Sequence, residues 1–181
     1  AIIPEFALTS VSYWDPPTLQ YNCEQPVPQN SVATKKLDVD NDGNFDLMVK
    51  VSNWYEFHSA SEPCNNFMYY SDIRTLVPGD SVAITNLVGN CAVVMNSGDT
   101  ISSSLNFSEK AETVRHYWMA FSCGGGVFYG DKYFGFKIQK GNGYMYGWLL
   151  MNYYPKDHVV TIKSFALNKT VNHKILAGQT K

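Results

Sequence analysis

Short runs of apolar and aromatic residues, broken at nearly every junction by turn residues, occupy most of the chain. They are "FALTSVSYW" at 6–14, "FDLMVKVSNWYEF" at 45–57, "FMYYSDIRTLV" at 67–77, "SVAITNLV" at 81–88, "VRHYWMAFS" at 114–122, "KYFGFKIQ" at 132–139, "YMYGWLLMNYY" at 144–154 and "HVVTIKSFALN" at 158–168. Between them stand "DPP" at 15–17, "PGD" at 78–80, "NSGD" at 96–99, "CGGG" at 123–126 and "GNG" at 141–143, where Pro fixes φ or Gly accepts a positive one. Strands at this spacing predict a sandwich or barrel. Phe134, Phe136 and Ile138 fall on one face of their run and Lys137 and Gln139 on the other, which predicts one wet face. The run from Tyr144 to Tyr154 is apolar on both faces and reads as a central strand covered on both sides, Gly147 admitting a close neighbour or a bulge. "SSSLNFSEKAETV" at 102–114 has too few apolar positions for a helix and reads as a loop with one helical turn. The Pro-, Asn- and Gln-rich stretch from Asp15 to Ser31 reads as a long connection.

Composition agrees with this pattern. The 181 residues include 12 Tyr and 10 Phe, types that suit pleated, half-buried surfaces. With 45% hydrophobic residues, 17% charged residues and a formal charge of -2, the chain is globular and has no field that would gather nucleic acid. No apolar run approaches the roughly 20 residues of a membrane-spanning helix, and "AIIPEFALTS" reads like a mature or trimmed N-terminus. The expectation is one domain over 1–181, an antiparallel β-sandwich of jelly-roll-like kind with little helix.

Cys23, Cys64, Cys91 and Cys123 contain no C-x-x-C pair, which argues against a zinc site or a redox centre of the thioredoxin kind. Their even number suits disulfides. Pairing Cys23 with Cys64 and Cys91 with Cys123 encloses a few adjacent strands in each loop, and buried thiols are the other reading.

The densest chemistry lies in "LDVDNDGNFDLMV" at 37–49. Asp38, Asp40, Asp42, Gly43, Asn44 and Asp46 form D-x-D-x-D-G-x-x-D. Carboxylates at every second residue of a loop can turn inward around one centre, and calcium takes six to eight hard oxygens at about 2.3–2.6 Å. In this reading Asp38, Asp40 and Asp42 each supply oxygen, Gly43 takes the sharp turn, Asn44 offers its backbone carbonyl, and Asp46 closes the site directly or through water. Each pair of carboxylates 4 Å apart repels by about 1 kcal/mol even in a water-like dielectric, a cost that an ion removes. A plain acidic turn needs one or two such side chains, not four.

The match to an EF-hand ends at its twelfth position, where Val49 stands in place of a bidentate Glu and the alternation of Leu47, Val49 and Val51 is that of a strand. The loop instead resembles the shorter calcium loops of FG-GAP-type β-repeats, which join two strands. The ending, with Gly135, Tyr146, Gly147, Trp148 and Gly178, looks like that of a diffuse group of secreted bacterial β-domain proteins of mostly unassigned function. This resemblance implies export and a β fold and says nothing of activity.

Other chemistry is poorly supported. There is no G-x-S-x-G, and Cys123 before three glycines reads as a loop cysteine. His58, His116, His158 and His173 include no pair at metal-binding spacing. Glycoside hydrolysis needs two carboxyls across a cleft, and Glu56, Glu62, Asp72 and Glu112 show no arrangement favouring it. Among the aromatics Trp14, Trp54, Tyr55, Trp118 and Trp148, Trp54 and Tyr55 precede a polar stretch and are the candidate glycan contacts, whereas Trp118 and Trp148 lie inside apolar strands. The leading expectation is therefore an exported calcium-binding module, structural or adhesive, meeting a protein or glycan at a bacterial cell surface. A carbohydrate-binding module is the second expectation and a glycoside hydrolase-like enzyme the third.

Overall fold

A computed structural model describes residues 6–9, 31–56, 66–85, 90–116, 130–154 and 159–180. The strands among them are β1 (Phe6–Thr9), β2 (Ser31–Leu37), β3 (Leu47–Glu56), β4 (Asn66–Thr75), β5 (Ser81–Ile84), β6 (Thr100–Ile101), β7 (Asn106–Ser108), β8 (Lys110–His116), β9 (Gly130–Lys140), β10 (Gly143–Tyr154), β11 (Val159–Leu167) and β12 (Ile175–Leu176). No helix occurs among the described residues. Six strands form one sheet in the order β1-β11-β10-β9-β5-β7 and four form another in the order β2-β3-β4-β8; β6 and β12 pair as a small third sheet. Among the described residues every pairing between these strands is antiparallel, and neither large sheet closes into a barrel. The expected all-β, sandwich-like architecture is what the chain adopts.

Period-two alternation builds the core. Leu47, Val49 and Val51 of β3 and Ile73 of β4 project from the four-stranded sheet. Phe134, Phe136 and Ile138 of β9 and Leu149, Met151 and Tyr153 of β10 project from the six-stranded one, and all ten share one buried cluster. Burying a side chain of this size contributes roughly 1.5–3 kcal/mol, so this shared layer dominates the stability.

A second apolar cluster covers the opposite face of β10. Tyr146 and Trp148 pack there with Met95, Ile101, Ala166, Ile175 and Ala177, so β10 is enclosed on both sides as its sequence predicts. Trp148 is a core residue: its indole N–H donates to the carbonyl of Gln179 at 2.8 Å, and its ring meets Tyr133 edge-on at 5.3 Å. Gly147 fills a place no side chain could take, because a Cβ would lie 2.3 Å from the Phe136 ring and 2.6 Å from the Ala166 carbonyl oxygen.

Two expectations change. The second face of β9 is less wet than its alternation suggests: Gly135 is buried against Ile101, and the Lys137 ammonium lies over the rings of Phe107 and Tyr144 at 4.6 and 4.1 Å. Burial there holds the Lys137 pKa below its ordinary value. The segment at 102–114 holds β7 and the start of β8 in place of a helical turn. Its pairing comes from neighbours: β7 adds to β5 and β8 to β4, so the ladder supplies what a sparse apolar pattern does not.

Cys91 is buried. Cys23, Cys64 and Cys123, and with them both expected pairings, lie outside the described residues, as do Trp14, Trp118, His58, Glu62 and His158.

Candidate metal centre

The acidic segment joins β2 to β3 at the mouth of a hairpin. Leu37 pairs with Leu47 in the ladder, and the Asp46 N–H closes the loop by donating to the Leu37 carbonyl at 2.9 Å. Inside that closure the aspartates cap the backbone. Asp38 accepts the N–H groups of Asn41 at 2.7 Å, Asp42 at 3.1 Å and Gly43 at 2.9 Å. Asp40 accepts from Asp42 at 3.0 Å, and Asp42 from Asn44 at 2.9 Å. Short polar side chains favour such local bonds over continued strand pairing, which is why the ladder stops here. Asn41 and Gly43 take positive φ, 65° and 93°. Nothing lies within 4 Å of a Cβ built on Gly43, so it is backbone conformation, not space, that asks for glycine there.

One oxygen from each of Asp38, Asp40 and Asp42 lies within 4.8 Å of the others. Oxygens no farther apart than this can be reached by a single ion at metal–oxygen distances of about 2.4 Å. The donors are hard oxygens without nitrogen or sulfur, a set suited to calcium, magnesium or manganese. The three carboxylates could hold a metal ion.

Asp46 and Asn44 stand differently. Asp46 is buried, and its Oδ2 accepts the Val39 N–H at 2.8 Å. Burial raises its pKa despite that bond, with the negative charges of Asp40 and Asp42 adding to the rise. Asn44 is exposed, and its N–H is the one that Asp42 accepts.

Two residues that the sequence did not single out complete the corner. Lys140, the last residue of β9, places its ammonium on the Asp40 carboxylate and 3.2 Å from Asp42 Oδ2. These contacts push the Lys140 pKa up. Asp42 is held below the usual carboxylate range, first by the Asn44 N–H and then by Lys140. Asp80, in the turn between β4 and β5, is 1% exposed; its Oδ1 accepts the Gln139 N–H at 2.8 Å, and its Oδ2 has no partner. Desolvation raises its pKa to about 6, and the charges acting on it include Asp46, Lys140 and Asp40. The corner is thus assembled from three connections: β2–β3, β4–β5 and the end of β9. Leu76, whose N–H donates to the Asp46 carbonyl at 2.7 Å, ties the first two together.

Trp54 and Tyr55 belong to β3, but their side chains are outside the described set. No family model, no curated protein and no solved structure matches the chain.

Proposed function

We propose that Asp38, Asp40 and Asp42 bind calcium, and that the ion serves the fold of an exported module with a structural or adhesive role at a bacterial cell surface. One observation carries the cation reading: three carboxylates of one connection converge within 4.8 Å, and Lys140 offsets one of their three charges. One ammonium against three carboxylates leaves the cluster negative, and a divalent ion in its place neutralises more of that charge.

The choice of calcium rests on the all-oxygen donor set and on the loop's exposure. Calcium accepts irregular, flexible coordination, whereas magnesium demands near-octahedral geometry and keeps most of its water. Support for export comes from Cys91, which is disulfide-bonded, since such bonds persist in oxidising compartments. The likeness of the acidic loop to FG-GAP-type calcium loops and of the chain's ending to secreted bacterial β-domain proteins points the same way. Loop sites of extracellular modules bind at about 10⁻⁴–10⁻³ M, so an ion at one hundred times its dissociation constant would add about 2.7 kcal/mol.

Thermal melting tests the reading. The melting temperature is expected to rise on passing from EDTA to millimolar calcium, to rise less in equal magnesium, and to stay unchanged by calcium in Asp42→Ala. Identical melts of the unaltered protein in EDTA and in calcium would remove the proposal.

A further inference from the structure

We infer that Lys140 is a built-in counter-ion of the acidic loop, holding the place of a divalent cation when none is bound and giving it up when one enters. The inference rests on the cation reading above and concerns how that site is regulated.

The carboxylates divide their oxygens in a way that supports it. Asp40 gives Oδ1 to the Asp42 N–H and Oδ2 to the Lys140 ammonium. Asp42 gives Oδ1 to the Asn44 N–H and Oδ2 to the same ammonium. In each, one oxygen shapes the loop and the other faces a cation. An ion that engages Asp40 and Asp42 through their outward oxygens draws on the two that Lys140 already holds, so the two cations compete for them; Asp38, whose oxygens both accept backbone N–H groups, takes no part in that exchange.

A second observation, independent of the loop, shows that one lysine does not satisfy this corner. Asp80 comes from another connection, is buried, and keeps an oxygen without a hydrogen-bond partner. Its other oxygen is fixed by the N–H of Gln139, the residue next to Lys140. Lys140 pairs with Asp40 and Asp42, while Asp46 and Asp80 add their negative charges to the same corner. A buried carboxylate left in such surroundings calls for further positive charge.

Lys140 is also placed to leave. Its backbone is pinned by the β9–β10 ladder opposite Gly143, while its side chain is 39% exposed and can swing into water without disturbing a strand. The contrast is with Arg74, which grips the fully buried Asp72 through two bonds of 2.8 and 3.0 Å from Nε and Nη2. Lysine, a point charge on a flexible stem, suits exchange better than a planar bidentate group.

Calorimetric calcium titrations of the unaltered protein and of Lys140→Met test the inference. Removing the competing charge while keeping the stem is expected to tighten calcium binding about tenfold. Equal affinities overturn the inference and leave the cation reading standing; absence of binding in both proteins overturns both. A second measurement needs no variant. Amine labelling of Lys140 in the unaltered protein, read by peptide mass spectrometry, should be several-fold faster in calcium than in EDTA. Lys163, paired with Asp131 at 2.9 Å in an ion pair outside the acidic corner, serves as the internal reference and should label equally in both. Equal labelling of Lys140 in the two conditions contradicts the displacement.

Discussion

Two hairpin connections of this protein reverse the chain by opposite means. Between β9 and β10 the reversal takes two residues, Gly141 and Asn142, and relies on backbone conformation, with Gly141 at φ 58°. Between β2 and β3 it takes residues 38–46, five side-chain-to-backbone bonds within residues 38–44, and a concentration of negative charge. A simple reversal requires none of that apparatus. The longer connection therefore carries something besides the turn, and the shorter one, through Lys140 at its edge, supplies the only cation that any described residue places on Asp40 and Asp42.

The contrast can be broken most sharply at Asp38. Asp38→Ala removes the acceptor of three backbone N–H groups and should cost about 2 kcal/mol in EDTA, measured by denaturant unfolding, besides ending the calcium response. A cost near zero would mean that these bonds merely replace equivalent ones to water.

Asp80 gives a smaller effect, with a sign opposite to that of an ordinary paired carboxylate. Its folded pKa, about 6, lies above the ordinary aspartate value, so the folded state binds the proton more readily than the unfolded one. In EDTA this group makes stability rise as pH falls from about 6 to about 4 and withholds that contribution at neutral pH. Discounted for screening, the amount is about 1–2 kcal/mol. Asp80→Asn keeps an acceptor for the Gln139 N–H and removes the charge. Urea unfolding in EDTA at pH 7 should show the variant more stable by that amount, with the difference closing towards pH 4.

The smallest effect belongs to the plain turn. Gly141→Ala places a Cβ at positive φ and should cost about 1 kcal/mol, while the calcium-induced rise in melting temperature stays as in the unaltered protein. Loss of that rise would show that the two corners are coupled more tightly than through the Lys140 side chain.

Much of the frame was legible from local pattern. β10 announces itself by apolar residues on both faces, and β9 by the alternation of Phe134, Phe136 and Ile138, because burial in a sheet repeats every second residue. β7 escaped detection because its stability lies in its partner β5, not in its own three residues. The covering of Lys137 by Phe107 and Tyr144 escaped for the same reason. At the acidic corner, Asp38, Asp40 and Asp42 were readable from their spacing, since one loop supplies all three. Lys140 and Asp80 were not, because tertiary pairing of β9 with β5 and β10 brings them there, and a Lys before "GNG" or an Asp after "PG" looks like ordinary turn chemistry. Asp46 continues the acidic pattern and, buried just before β3, accepts the Val39 N–H.

The central claim is that a divalent ion sits among Asp38, Asp40 and Asp42. Crystals grown in calcium and measured for anomalous scattering test it most directly. The account predicts one ion with oxygens of all three aspartates at about 2.3–2.6 Å and Lys140 swung away. Well-ordered aspartates still gathered on the Lys140 ammonium, with no ion density between them in millimolar calcium, would contradict it.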